Sequence, residues 1–279
     1  MKTIFFLTLF FITATMIAQQ KEPCCGTTST EEFAKLSSDK LFASAHADPL
    51  PSPMRVDAGT MVSFETPDGK KAGAYEVKSL APTNKVIFMI HEWWGLNSYI
   101  KQEAEKLQKE LGDVNVYALD LYDGNIATNQ QDAAKYMGEV KDERAKAIIA
   151  GLLEFVGKDK KIAAIGWCFG GGWSLQAALL ADSQAAACVM YYGMPEKNIA
   201  RLKTLHCDVL GIFGKKDGWI SPKIVDEFKK NMTAAGKKLE VKMYDADHAF
   251  ANPSNPKFDK AATADAHAAV LSFLKERLQ

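Results

Sequence analysis

The run Gly166-Trp167-Cys168-Phe169-Gly170-Gly171-Gly172 sets a thiol between glycines two positions away on either side. It follows the apolar run Lys161-Ile-Ala-Ala-Ile165 directly and precedes a helical pattern. A strand that enters a glycine-rich turn and leaves as a helix has the form of a nucleophile elbow, with cysteine where serine usually stands. The glycines let strand and helix pass without Cβ clashes, and the turn lifts the side chain above the strand end. A helix N-terminus beneath the sulfur favours the thiolate and offers free N–H groups, the Phe169 N–H first among them, to an oxyanion. The chemistry indicated is thiolate attack on a carbonyl carbon. Two plainer readings compete, a buried structural cysteine and a phosphate loop. Neither the Lys-Ser/Thr of a P-loop nor a dinucleotide fingerprint with its acidic partner is present.

A nucleophile in such a turn needs a base, and the base an orienting acid, in the chain order nucleophile, acid, histidine. Three histidines follow Cys168. His206 opens a strand and His267 lies among alanines within a helix, which suits structural or surface roles. His248 lies in the loop Asp245-Ala-Asp-His-Ala-Phe250 after a late strand, where α/β proteins form ligand sites. Asp217, after the preceding strand, is the candidate acid. Asp245 and Asp247 sit too near His248 in sequence and are read as turn residues. They are not read as metal ligands, because no second ligand cluster accompanies them.

A third loop, His91-Glu92-Trp93-Trp94-Gly95, follows the first strand of the parallel set and is the expected source of a second oxyanion N–H. Glu92 is either a surface residue or a carboxylate close enough to the thiol to tune its ionisation. Trp93 and Trp94 are either pocket walls or core. Trp94, Tyr122 and Phe250 are the pocket candidates.

These loops require a particular scaffold. Strands are expected at Thr60–Glu65, Ala72–Val77, Lys85–Ile90, Asn115–Leu121, Lys161–Gly166, Ala186–Tyr192, Asp208–Phe213 and Leu239–Tyr244. The first two flank the turn signal Thr66-Pro67-Asp68-Gly69 and predict a β-hairpin. Helices are expected at Tyr99–Leu111, Asp132–Val156, Phe169–Ala181, Glu196–Leu205, Pro222–Ala235 and about Lys257–Leu278. In the last, Ala261, Ala268, Val270, Leu271, Leu274 and Leu278 recur near helical spacing and predict the buried face. Continuous apolar strands alternating with amphipathic helices predict a mostly parallel sheet covered on both faces, an α/β fold.

Composition narrows the field. The chain has 279 residues, 34 basic against 34 acidic, 47% hydrophobic and 24% charged residues, and five cysteines. Zero net charge offers no footprint for nucleic acid. The apolar fraction excludes a disordered chain, and five cysteines are too few for a disulfide scaffold. Cys188 and Cys207 are expected as buried free thiols.

The first eighteen residues read as a signal peptide: Lys2, then an apolar run from Ile4 to Ile17, then Ala18 before a polar start. Residues 19–58 read as an extension, with Cys24-Cys25, a short helix from Thr30 to Leu41 and a linker carrying Pro49, Pro51 and Pro53. Residues 59–279 are read as one α/β domain. The mature protein is expected outside the cytoplasm, periplasmic or secreted, without stable membrane insertion.

Together these motifs resemble the dienelactone hydrolase family of the α/β-hydrolases, over about Gly59 to Leu278. The resemblance implies Cys168 as nucleophile, His248 as base and Asp217 as its orienter. Glu92 would hold the cysteine in check and help form the thiolate when substrate arrives, and the Trp93 and Phe169 N–H groups would form the oxyanion hole. The expected activity is hydrolysis of a small ester or lactone through a thioester, with no metal and no cofactor. The sequence departs from the family where arginines grip a substrate carboxylate. Four residues after the histidine stands Asn252, and Tyr122 to Val140 contains no arginine. The alternatives are a short-chain carboxylesterase without lactone preference and a non-catalytic binding protein of the same fold.

Overall fold

The computed structural model describes residues 27–49 and 55–279. The segment expected as a signal peptide, Cys24-Cys25, Pro51 and Pro53 lie outside the described residues. Two short helices come first, α1 (Ser29–Ala34) and α2 (Lys40–Ser44), separated by a 3-10 turn. One continuous helix was expected there. Asp39 divides it: its extended backbone lets the carboxylate accept the Leu41 and Phe42 N–H groups and cap α2.

Strands β1 (Thr60–Glu65) and β2 (Lys71–Val77) pair antiparallel. Then follow β3 (Lys85–Ile90), α3 (Ser98–Leu111), β4 (Asn115–Leu119), α4 (Gln130–Glu139), α5 (Asp142–Val156), β5 (Lys161–Trp167) and α6 (Phe169–Ala181). The chain continues through β6 (Ala185–Tyr191), α7 (Ile199–Lys203), β7 (Asp208–Gly214), α8 (Pro222–Ala234), β8 (Leu239–Tyr244) and α9 (Lys260–Arg277). The eight strands run in the order β1-β2-β4-β3-β5-β6-β7-β8, parallel from β4 to β8.

Because β3, β5, β6, β7 and β8 are parallel, the loops after them converge on one edge of the sheet. That convergence gathers residues far apart in sequence. The central strands are buried on both faces, as their unbroken apolar runs require. Helix α6 is buried almost all round, which three glycines and small side chains permit.

Two helical expectations are corrected. Asp132–Val156 is two helices, α4 and α5, broken where Val140 turns extended. Asp142, the first residue of α5, is buried and accepts hydrogen bonds from the Thr28 and Thr30 hydroxyls. On α9 the buried positions are Ala266, Val270, Phe273 and Leu274, while Ala261 and Ala268 are exposed. Of the expected face, Val270, Leu274 and Leu278 are buried and Leu271 packs partly buried on the core; only the two alanines were misplaced, because alanine is at home on either side of a helix.

Candidate active site

β5 ends at Trp167 and α6 begins at Phe169, so Cys168 alone makes the turn, with φ 56° and ψ −118°. A non-glycine residue there stores about 1–3 kcal/mol of strain. A Cβ on Gly166 would lie 2.0 Å from the Gly170 carbonyl oxygen, and one on Gly170 would lie 2.3 Å from the carbonyl oxygens of Ile90 and His91. Only glycine admits a helix this close to β3 and β5. The Cys168 N–H donates to the Tyr191 carbonyl at 2.9 Å, which ties the turn to the end of β6.

His248 Nε2 stands 3.3 Å from Cys168 Sγ, and His248 Nδ1 stands 2.7 Å from Asp217 Oδ2. The other Asp217 oxygen accepts the Trp219 and Ile220 N–H groups, each at 2.8 Å. Burial works to raise the Asp217 carboxyl, but His248 and the two N–H groups outweigh it and hold it below the usual range. An ionised Asp217 fixes the imidazole with its proton on Nδ1 and its free nitrogen toward the sulfur. The three residues singled out from spacing and chain order thus form one hydrogen-bonded line.

The backbone N–H groups of Phe169 and Trp93 both donate to the Cys168 sulfur. They lower the thiol's pKa, but burial, Glu92 and Asp217 push it well above the ordinary value. In this state the sulfur keeps its proton. Glu92 is buried, not a surface residue. Burial lifts its carboxyl to about 7, offset in part by a hydrogen bond with the Asn252 side chain, and Glu92 Oε2 has no partner. The loop that carries Glu92 is held by His91, a residue the sequence did not point to. His91 Nε2 accepts the Leu121 N–H at 3.1 Å, so its Nδ1–H donates to the Glu92 carbonyl at 2.8 Å.

The pocket candidates fare differently. A cleft of about 900 Å³ is bordered by Glu92, Trp167, Tyr191, Ile100, Ala251 and His267. Trp94, Tyr122 and Phe250 are buried and none borders it. Tyr122 packs on His91 and Phe169 behind the thiol, and Phe250 packs on Tyr192 and Tyr244. Their apolar bulk is used to wall the site from within. Asp245 and Asp247 face solvent and pair with Lys216 and Lys257. Cys188 and Cys207 are buried and unpaired.

Neither Cys168 nor His248 borders the cleft, because residues 27–49 cover them. The Phe42 ring lies 5.6 Å from the His248 ring and 5.2 Å from Trp93. Phe33 lies 6.4 Å from His248 on the same side. Burying each phenylalanine stabilises this cover by about 2 kcal/mol. Polar anchors surround it: Glu32 pairs with Lys197 at 2.6 Å, Trp219 Nε1 donates to Asp39 at 3.2 Å and Gln130 Nε2 donates to the His46 carbonyl at 2.8 Å. His46 itself stacks on Trp93 with ring centroids 5.3 Å apart, and burial drops its pKa to about 4. Sequence reading found no role for this segment.

The profile of the dienelactone hydrolase family matches residues 72–278. The chain belongs to that family, and it is a hydrolase acting on ester or lactone bonds. Among similar proteins, the carboxymethylenebutenolidase of Pseudomonas sp. (strain P51) is 27% identical over 228 residues, covering 77% of this chain and 94% of that one. Protein usf of Aquifex pyrophilus is 29% identical over 233 residues, covering 79% of this chain and 99% of that one. A solved dienelactone hydrolase-like promiscuous phosphotriesterase from metagenomic libraries superposes with a TM-score of 0.67 at 21% identity, over 79% of this chain and 99% of its own. That likeness bears out the α/β-hydrolase fold.

Proposed function

We propose that Cys168, His248 and Asp217 form a catalytic triad that cleaves small esters or lactones through a thioester. The observation that carries this reading is the His248 imidazole, spanning Asp217 at 2.7 Å and the Cys168 sulfur at 3.3 Å. His248 takes the thiol proton and the sulfur attacks the carbonyl carbon. The oxyanion moves into the N–H groups of Phe169 and Trp93, which now point at the sulfur. His248 returns the proton to the leaving oxygen. Water, deprotonated by His248, then opens the thioester, releases the acid and restores the thiol. Glu92 shapes the thiol's ionisation through its charge.

The substrate is neutral around its reacting carbonyl. Asn252, where the family places a carboxylate-gripping arginine, is buried with its side chain engaged on Glu92. An amide in that place cannot make the charged, bidentate grip that an arginine gives a carboxylate. The same observation favours a second reading, a short-chain carboxylesterase with no lactone preference. The signal-like residues 1–18 support export of the mature enzyme, with residues 59–279 as the catalytic domain. A panel of neutral aryl esters, neutral lactones and anionic lactones, run against the protein and Cys168→Ala, tests the proposal. Loss of all hydrolysis in Cys168→Ala is expected, with neutral substrates preferred. Full activity in Cys168→Ala would defeat the triad.

A further inference from the structure

Among the described residues, one group of histidine, cysteine and acidic side chains is close enough to hold a metal ion: His46, Cys168 and His248. Their ligand atoms lie within 4.8 Å of one another, and all three residues are buried. The catalytic proposal uses Cys168 and His248 but gives His46 nothing to do. His46 is 2% exposed, and its Nε2 has no hydrogen-bond partner. A buried imidazole nitrogen without a partner is costly unless something fills the position.

The surroundings match a metal site in a further respect. His46 Nδ1–H donates to the Phe42 carbonyl at 2.7 Å, and His248 Nδ1–H donates to Asp217 at 2.7 Å. Each imidazole is therefore oriented through its far nitrogen, with the unprotonated Nε2 lone pair left to bind a metal, the arrangement that outer partners impose on metal-binding histidines. One sulfur and two imidazole nitrogens suit a soft or borderline cation and do not suit calcium or magnesium. A tetrahedral zinc ion with ordinary bond lengths sets its ligands about 3.5 Å apart. The Cys168–His248 separation of 3.3 Å already meets that. A thiolate and the Asp217 carboxylate behind it balance the charge of a dication.

We infer that His46, Cys168 and His248 form an inhibitory zinc site. On binding, the Cys168 thiol gives its proton to solvent as the zinc–sulfur bond forms, and the fourth position stays open. The metal occupies the lone pairs that attack and proton transfer would use. It also fastens residues 27–49 over the thiol, because one ligand belongs to that segment and the other two to the loops after β5 and β8. Zinc therefore closes the cover and idles the nucleophile in one event. The inhibition rests on the hydrolase reading above; the metal site does not.

The test uses a Cys24→Ser, Cys25→Ser protein, so that any thiolate signal comes from the buried cysteines. Cobalt(II) is added as a spectroscopic probe. The expected result is a sulfur-to-cobalt charge-transfer band with tetrahedral visible bands. These should be absent in Cys168→Ala and in both His46→Ala and His46→Phe. The phenylalanine keeps a ring against Trp93 and Phe42 while removing the nitrogen, and circular dichroism checks that each variant folds. Zinc should displace the cobalt and stop aryl ester hydrolysis at one ion per chain, with recovery on adding a chelator. Loss of His46 should weaken zinc binding by more than the roughly 100-fold that an outer partner commands. No thiolate band, bands unchanged in the His46 variants, or hydrolysis unaffected or raised by zinc would each overturn the proposal. If the metal-free protein cleaves no ester, the hydrolase reading fails, and the cobalt spectra still decide the site.

Discussion

Asp217, in the loop after β7, and Glu92, in the loop after β3, are both buried carboxylates whose charge acts on Cys168. They hold opposite protonation tendencies. Asp217 has two backbone N–H donors and an imidazole, and its pKa falls below the ordinary value. Glu92 has one amide side chain and an unpartnered oxygen, and its pKa climbs to about 7. Burial works in the same direction on each. What separates them is the His248 imidazole first, through its charge and its hydrogen bond, and the two backbone N–H groups after it, and this decides which carboxylate serves as a fixed charge and which gains or loses a proton near neutrality.

The largest effect expected from that difference is on catalysis. Asp217→Asn keeps the shape of the loop but lets the imidazole present the wrong nitrogen to the thiol, and kcat on an aryl ester should fall about 10⁴-fold. Glu92→Gln should cost less than the roughly 100-fold typical of a positioned proton-transfer group, because Glu92 acts on the thiol through its field. Equal losses in the two variants would break the distinction and make Glu92 a proton carrier.

Stability should separate the loops by sign. The Glu92 carboxyl rises from 4.5 in an exposed setting to about 7 in the folded protein, so folding favours its protonated form. The penalty is absent at low pH, grows as pH rises through that window and reaches about 3 kcal/mol above it. Glu92→Gln should therefore raise Tm at pH 8 and leave it unchanged at pH 4. Asp217, whose pKa is lowered, contributes stability above its unfolded value of 3.8 that is lost as pH falls through the folded one. Asp217→Asn should accordingly lower Tm at pH 7. Thermal melts of both variants across pH check the two signs together.

The same pair shows what the sequence could reveal. Asp217, His248 and Cys168 were legible because parallel strands put their following loops on one edge, and chain order assigns the roles. The elbow was legible because the contacts at Gly166 and Gly170 exclude every other residue. Glu92 was visible as a residue, but neither its burial nor its partner Asn252, far along the chain, was, since both depend on the assembled fold. Trp94, Tyr122 and Phe250 were expected at the substrate pocket and are buried away from the open cleft, since large apolar side chains serve equally as core. Residues 27–49 were opaque for a related reason. They have little periodicity of their own, and partners such as Asp142, Lys197 and Trp219 exist for them only once the sheet has assembled. His46 shows the limit: a lone histidine in an extension carries no local pattern, yet it lies over the thiol.

The smallest effect is the most direct probe of the Glu92 loop. Asn252 is the hydrogen-bond donor that draws Glu92 back toward its ordinary value, against burial. Asn252→Leu keeps much of the volume and removes that donor, leaving burial unopposed. The Glu92 midpoint, followed by carbon-13 NMR of the side-chain carboxyl, should move upward from about 7 in the unaltered protein, by about one unit for a hydrogen bond worth about 1.4 kcal/mol. The same substitution does not touch the partners of Asp217, which are His248 and the backbone N–H groups of Trp219 and Ile220, so the Asp217 carboxyl should titrate unchanged. A midpoint that stays in place would mean that Asn252 does not hold Glu92, and the contrast between a carboxylate with several donors and one with a single donor would fail at its weaker end.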